Sequence, residues 1–224
     1  MKKDNAIDVF DVAKWFIKYN YDTPRNTLDG NMKLQKLLYF AQLIHLAKFD
    51  EVLFNEPILA FENGCVIEKV RVAYKNDHHS FISQANSYTE NFNQKQNETL
   101  LITAEIFGKS KPEELSELNH FDFSWKEAYD RSKGFSGFRY REDSIVSVDV
   151  IRKNDLIRIN KMLDAFELAQ NYKQDRIIIN GVTFYYDPQK IKMTEEVMSR
   201  LKEFPTDESE YSVCLDESVG LVIY

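Results

Sequence analysis

His120 stands two residues before Asp122 and five before Trp125, a spacing that would set an imidazole beside a carboxylate as an acid/base pair. A histidine that ties a loop to a helix start is the favoured reading of the same spacing. Adjacent His78 and His79 point to opposite sides in regular structure and sit in an expected exposed loop, so a shared metal is disfavoured. His45 falls at the edge of an apolar helix face, where it packs. Gly108, Lys109 and Ser110 resemble the end of a phosphate loop, but Thr103 stands where that motif needs glycine, so a helix end followed by a cap is expected. Glu113, Glu114 and Glu117 suit the positive end of a short helix better than paired carboxylate chemistry. Ser and Cys lie in no elbow-like context, and Cys65 and Cys214 have no motif that lowers a thiol pKa. The residues therefore nominate no catalytic, cofactor or metal site, and an enzyme is not expected.

Several elements must position these residues. Ile7, Phe10, Ala13, Phe16 and Ile17 form one helical stripe. Met32 to Gln42, MKLQKLLYFAQ, begins a second helix running to about Phe49, read as amphipathic, with Asp29, Gly30 and Asn31 as turn and cap. Pro57 to Phe61 reads as extended, Gly64 as a turn, and Val66, Val70 and Ala73 as the next helix. Lys75 to Glu98 is polar enough to read as loop or weak helix. Thr99 to Phe107 resumes a stripe, and capping boxes at Ser110 with Glu113 and Ser124 with Glu127 start two short helices. Ser144 to Val148 reads as a strand, and Asn154 as the cap of a helix carrying Ile159, Leu163, Phe166 and Ala169.

Beyond that helix the period changes to two. Ile177 to Ile179, Asn180-Gly181 and Val182 to Tyr186 make a strong two-residue hairpin. A helix from about Thr194 to Glu203 precedes a second hairpin, with Tyr211, Val213 and Leu215 in one arm, a turn over Asp216 to Ser218, and Val219 to Tyr224 in the other. The expected fold class is α+β: a predominantly helical domain over residues 1–150, then a small unit of helix and antiparallel hairpins over 151–224.

Two cysteines outside any paired motif fit a reducing cytoplasm, and no stretch approaches the roughly 18 apolar residues of a membrane span. Lys2 and Lys3 are followed by Asp4, Asp8 and Asp11 where a signal peptide needs an apolar run. A net charge of −7 disfavours nucleic acid as a partner. No Lys or Arg follows Lys202, whereas Glu203, Asp207, Glu208, Glu210, Asp216 and Glu217 do. That end is read as a solvated acidic surface, with a basic partner as the sharper alternative.

Four strings in order resemble the Panacea domain, the SocA-like antitoxin family of bacterial and phage toxin–antitoxin pairs. They are MKLQKLLYFAQ; Glu56, Pro57, Ile58 and Ala60; Phe61 to Ile67, FENGCVI; and Leu115 to Tyr129, LSELNHFDFSWKEAY. The resemblance spans roughly residues 7–150 and leaves the tail outside. Cys65 replaces the family's usual proline and Phe61 its tryptophan. A missing proline loosens a turn by about 0.5 to 1 kcal/mol, which a fold survives.

The resemblance implies a cytoplasmic antitoxin that neutralises a toxin encoded nearby by direct binding, in some relatives by presenting it to a protease, with no cofactor and no catalysis. A DNA-binding autoregulator and a small hydrolase or transferase are the alternatives from other classes; the first lacks a basic recognition helix. It also marks Leu34, Gln35, Lys36, Leu37, Tyr39, Gly64, Val66, His120 and Trp125 as motif positions, with scaffold and partner contact both open. Gln35, Lys36 and Tyr39 read either as contacts or as a polar cluster closing the core, with Lys36 reaching outward. Recognition is expected in the polar tract from Lys75 to Glu98 and in the tail, where Tyr185, Tyr186, Tyr211 and Tyr224 are candidate anchors.

Overall fold

The computed structural model describes residues 6–22, 31–134, 140–171, 175–216 and 219–224. It is a mainly helical α+β protein that divides into two compact units, Met1–Met162 and Leu163–Tyr224.

The first unit is built round a helix with almost no exposed side. Helix α1 (Val9–Lys18) begins where Asp8 accepts a hydrogen bond from Phe10 N–H, and it buries Val9, Val12, Ala13, Trp15, Phe16 and Ile17. Helix α2 (Met32–Phe49) keeps the expected length but not the expected amphipathicity. Its leucines are buried, and so are Gln35, Lys36, Gln42 and His45. A helix covered on all sides must find partners for every polar side chain it carries. Its cap also differs: Asn31 makes no side-chain cap bond, and the carboxylate of Asp22 accepts from Leu34 N–H at 3.0 Å. The expected turn at Asp29 and Gly30 lies outside the described residues.

Gln42 shows how the core polar groups are satisfied. Its Oε1 accepts from Leu53 N–H and Phe54 N–H, and its Nε2 donates to Phe54 O, which fixes the chain leaving α2. That chain forms β1 (Ile58–Phe61), which pairs antiparallel with β2 (Gly64–Ile67). Val66 therefore sits in a strand and not in the helix expected there. The helix is α3 (Glu68–Asn76), and after Asp77 comes α4 (His78–Asn86), in the tract read from polarity as loop or weak helix. Asp77 caps it through Ser80 N–H, and Phe81 packs edge-on against Phe10 of α1 with ring centroids 6.0 Å apart. Burial of Phe81 and Ala85 against neighbouring helices offsets a polar sequence. The rings of His78 and His79 lie 4.0 Å apart at the first turn of α4 rather than on opposite sides.

Helix α5 (Gln94–Phe107) starts at a reciprocal capping box of Asn93 and Gln96 and lies along α2, with Phe40 and Phe107 stacked at 4.3 Å. Helices α6 (Pro112–His120) and α7 (Phe123–Arg131) begin near the two expected boxes, with different caps. For α6 the Glu114 carboxylate accepts from Lys111 N–H. For α7 the cap comes from far along the chain: Asp155 accepts from Phe123 N–H at 2.8 Å and Ser124 N–H at 3.2 Å. The strand expected at Ser144 to Val148 reduces to a 3-10 turn at Glu142–Ser144 and a single bridge between Leu59 and Ile145. Asn154 caps nothing. It lies inside a helical run formed by α8 (Val148–Val150), a π segment (Ile151–Asp155) and α9 (Leu156–Asn171), and it donates to Val150 O.

The second unit contains β3 (Asp175–Ile179) and β4 (Val182–Tyr186), joined by Asn180 and Gly181 at φ 53° and 85°, as the Asn-Gly turn requires. Helix α10 (Glu195–Glu203) is capped by Thr194, and β5 (Glu210–Asp216) pairs with β6 (Gly220–Ile223). The two hairpins fuse into one sheet, β3-β4-β5-β6, because β5 runs parallel to β4. A parallel pair needs a crossover, and α10 supplies it. Ile179, Phe184, Ile191, Leu201, Tyr211 and Val213 form the core between helix and sheet.

Candidate functional site

Six side chains converge on the β1–β2 hairpin and bond its main chain. From α2, Lys36 Nζ donates to Cys65 O at 3.0 Å and Gln35 Oε1 accepts from Ile67 N–H at 2.7 Å. From α6, Ser116 Oγ donates to Asn63 O at 2.8 Å, His120 Nε2 meets Glu62 O at 3.1 Å, and Asn119 Oδ1 accepts from Cys65 N–H. From α7, Trp125 Nε1 donates to Phe61 O at 2.9 Å. The motif positions that share neither an element nor a stretch of sequence thus share one task. Leu34, Leu37 and Val66 complete it as buried packing.

A second layer lies beneath. Tyr39 OH donates to Asp122 Oδ2 at 3.0 Å, Asn119 Nδ2 points to the same oxygen at 3.4 Å, and Arg158 of α9 pairs with Asp122 Oδ1. Burial drives the pKa of Asp122 up while the Arg158 guanidinium pulls it down, leaving it above the usual carboxylate range. The Tyr39 phenol is pushed well above its ordinary value, first by burial. Lys36, 1% exposed, has its ammonium brought down to about 8 by desolvation. It does not reach outward, so of the two readings for Gln35, Lys36 and Tyr39 the closed polar cluster is the one the side chains form.

His120 and Asp122 do not form the acid/base pair that their spacing allows. His120 is exposed and turned to Glu62 O with its ring 4.3 Å from Trp125, while Asp122 is buried against Tyr39 and Arg158. The imidazole and the carboxylate serve different layers. Burial pushes the Cys65 thiol up to about 12, which removes its thiolate at neutral pH. Among the described residues no group of three His, Cys, Asp or Glu is placed to hold a metal, and no helix is long and apolar enough to cross a membrane.

Asn119, Ser116, Asp155 and Arg158 belong to this cluster and were not singled out by spacing. Asn119 and Asp122 stand three apart in LNHFD, a helical step, which is a usable signal; Arg158 has none, because its partner is 36 positions away.

His45 is a second buried polar group, hydrogen-bonded through Nδ1 to Thr99 Oγ1 at 2.8 Å, and desolvation brings its pKa down to about 4. The folded value lies below the unfolded one, so the neutral ring's stabilisation is present above about pH 6.5 and is lost as pH falls toward 4. The expected loss is about 2 kcal/mol between about pH 7 and pH 5. Urea melts of wild type and His45→Gln across that range check it, since the variant should show a correspondingly flatter profile.

The four tail tyrosines separate by strand parity. Tyr211 is buried, and its hydroxyl accepts from Asp207 N–H and Glu208 N–H at 2.7 Å each. Tyr186 packs on the same core with its OH on Asp175 at 3.2 Å. Tyr185 and Tyr224 alternate to the face away from α10, and Tyr224 is 70% exposed. As an anchor, Tyr211 is corrected to a structural residue; Tyr186 is half-buried against the same core.

Residues 34–126 match the family model described as antitoxin SocA-like, Panacea domain. The match is shorter than the span of 7–150 expected from the strings, and it takes in the hairpin, α6 and Trp125. No curated protein and no solved structure matches the chain. The domain suggests an antitoxin role in a toxin–antitoxin pair and a non-enzymatic one.

Proposed function

We propose, with the Panacea match over residues 34–126 as premise, that this chain is an antitoxin that neutralises a toxin encoded beside it by binding it directly. The observation that carries the reading is what the polar motif residues do: Gln35, Lys36, His120 and Trp125, joined by Asn119, bond the main chain of one hairpin of the same chain. Groups committed in that way hold a shape. The first domain is then a platform, and recognition falls to surface that is free to vary, including the second unit. Co-expression with the neighbouring reading frame tests this. The neighbour alone should arrest growth and this chain should restore it with co-purification of the pair; a harmless neighbour, or rescue without a complex, rejects the reading.

Within the second unit this reading assigns contact to Tyr185 and Tyr224, which lie on the sheet face away from α10. Replacing either by Ala should weaken the complex by about 1 to 2 kcal/mol and leave unfolding within about 0.5 kcal/mol of wild type. Titration calorimetry beside thermal melts separates the two effects.

A further inference from the structure

Strand β6 closes the sheet on one side, and the ladder fixes which of its main-chain groups point outward. Ser212 and Tyr224 exchange two hydrogen bonds, N–H to O at 2.7 and 3.0 Å. In an antiparallel pair such bonded positions alternate with non-bonded ones. With Cys214 opposite Val222 and Asp216 opposite Gly220, residues 220, 222 and 224 face β5 with their main chain, whereas Leu221 and Ile223 turn theirs to the outer edge. Among the described residues β6 pairs with no strand other than β5, which leaves those outer groups on the sheet's edge. Edge strands are ordinarily guarded by charge, proline or a bulge. The opposite edge, β3, opens with Asp175 and Arg176, but Gly220 to Tyr224 reads GLVIY with none of these.

We infer that the outer edge of β6 is a strand-addition site, and that it takes an extended basic segment of the partner protein. Charge selects that occupant. From Glu203 to Tyr224 the chain has six acidic residues and no Lys or Arg, and Glu210 and Asp216 sit on β5 itself. A second copy pairing edge to edge would join two hairpins of the same sign without a cation between them, which is destabilising. A segment bearing Lys or Arg gains on the same ground. Its main chain pairs with Leu221 and Ile223, and its side chains on the open face meet Val222 and Tyr224.

The inference rests on the antitoxin reading, and one experiment separates the two. Hydrogen exchange is measured on the full chain alone and co-purified with the product of the neighbouring reading frame. Strand addition slows the Leu221 and Ile223 amides at least tenfold in the complex. A complex in which those two amides exchange as fast as in the free chain overturns strand addition and leaves the antitoxin reading standing; no complex at all overturns both. Ile223→Pro removes one outward N–H without touching the β5 ladder and should reduce complex formation at least tenfold, with a thermal melt to confirm folding. If that variant does not fold, the exchange data decide. Sedimentation of the free chain as a dimer that Ile223→Pro dissolves would assign the edge to a second copy and overturn the proposal.

Discussion

Gly64→Ala should destabilise the first unit by about 4 kcal/mol, combining left-handed backbone strain in a non-glycine residue with overpacking of a filled site. Gly64 has φ of +96°, and a Cβ built there would overlap Asn119 Oδ1 and lie 2.6 Å from Lys36 Nζ. Neither neighbour is free to give. Asn119 is held by Cys65 and Asp122, and Lys36 is a buried ammonium whose carbonyl acceptor belongs to the residue after the glycine. Gly181→Ala is the control, since its φ is +85° but a Cβ would meet nothing within 4 Å. Backbone strain alone should cost that variant about 1 kcal/mol. Urea midpoints of the two variants give the difference, and equal losses would mean that the polar cluster does not press on the turn.

That contrast also shows how far the sequence could be read. Periodicity found α1, α2, α10 and the Asn180-Gly181 hairpin, because each is specified by residues close together in the chain. It misread the surroundings of α2. The leucine stripe is what an amphipathic helix would show, and the acceptors that bury Lys36 and Gln35 are main-chain groups of Cys65 and Ile67, to which no side-chain pattern points. The same limit explains α7, whose cap is Asp155 rather than Ser124, and α4, which is supported by the burial of Phe81 and Ala85. In the tail, alternation gave both hairpins, but the parallel join of β4 to β5 depends on where α10 returns the chain. The resemblance to the Panacea strings marked Gln35, Lys36, His120 and Trp125, which bond the hairpin main chain, but not Ser116 or Asn119, which bond it too, and it left scaffold and contact open.

Asp122→Ala is expected to cost about 3 kcal/mol, toward the lower end for breaking a buried ion pair, because the Arg158 side chain is 30% exposed and can turn to water. The loss falls on groups that cannot turn. Tyr39 is fully buried, and without Asp122 Oδ2 its hydroxyl loses its 3.0 Å carboxylate acceptor. Asn119 loses one of the contacts that orient its amide toward the Cys65 main chain. Asp122→Asn keeps an oxygen for Tyr39 and removes a charge whose ionised form burial already disfavours, so its cost should be nearer 1 kcal/mol. If geometry and not charge is what the site needs, then under the proposed antitoxin function the Asn variant also retains growth rescue while the Ala variant loses it in proportion to its unfolding. Chemical denaturation of the three proteins beside the growth-rescue assay decides this. Loss of rescue in a fully folded Asn variant would instead give the carboxylate a part in recognition, and the buried layer under the hairpin would then be more than a clamp.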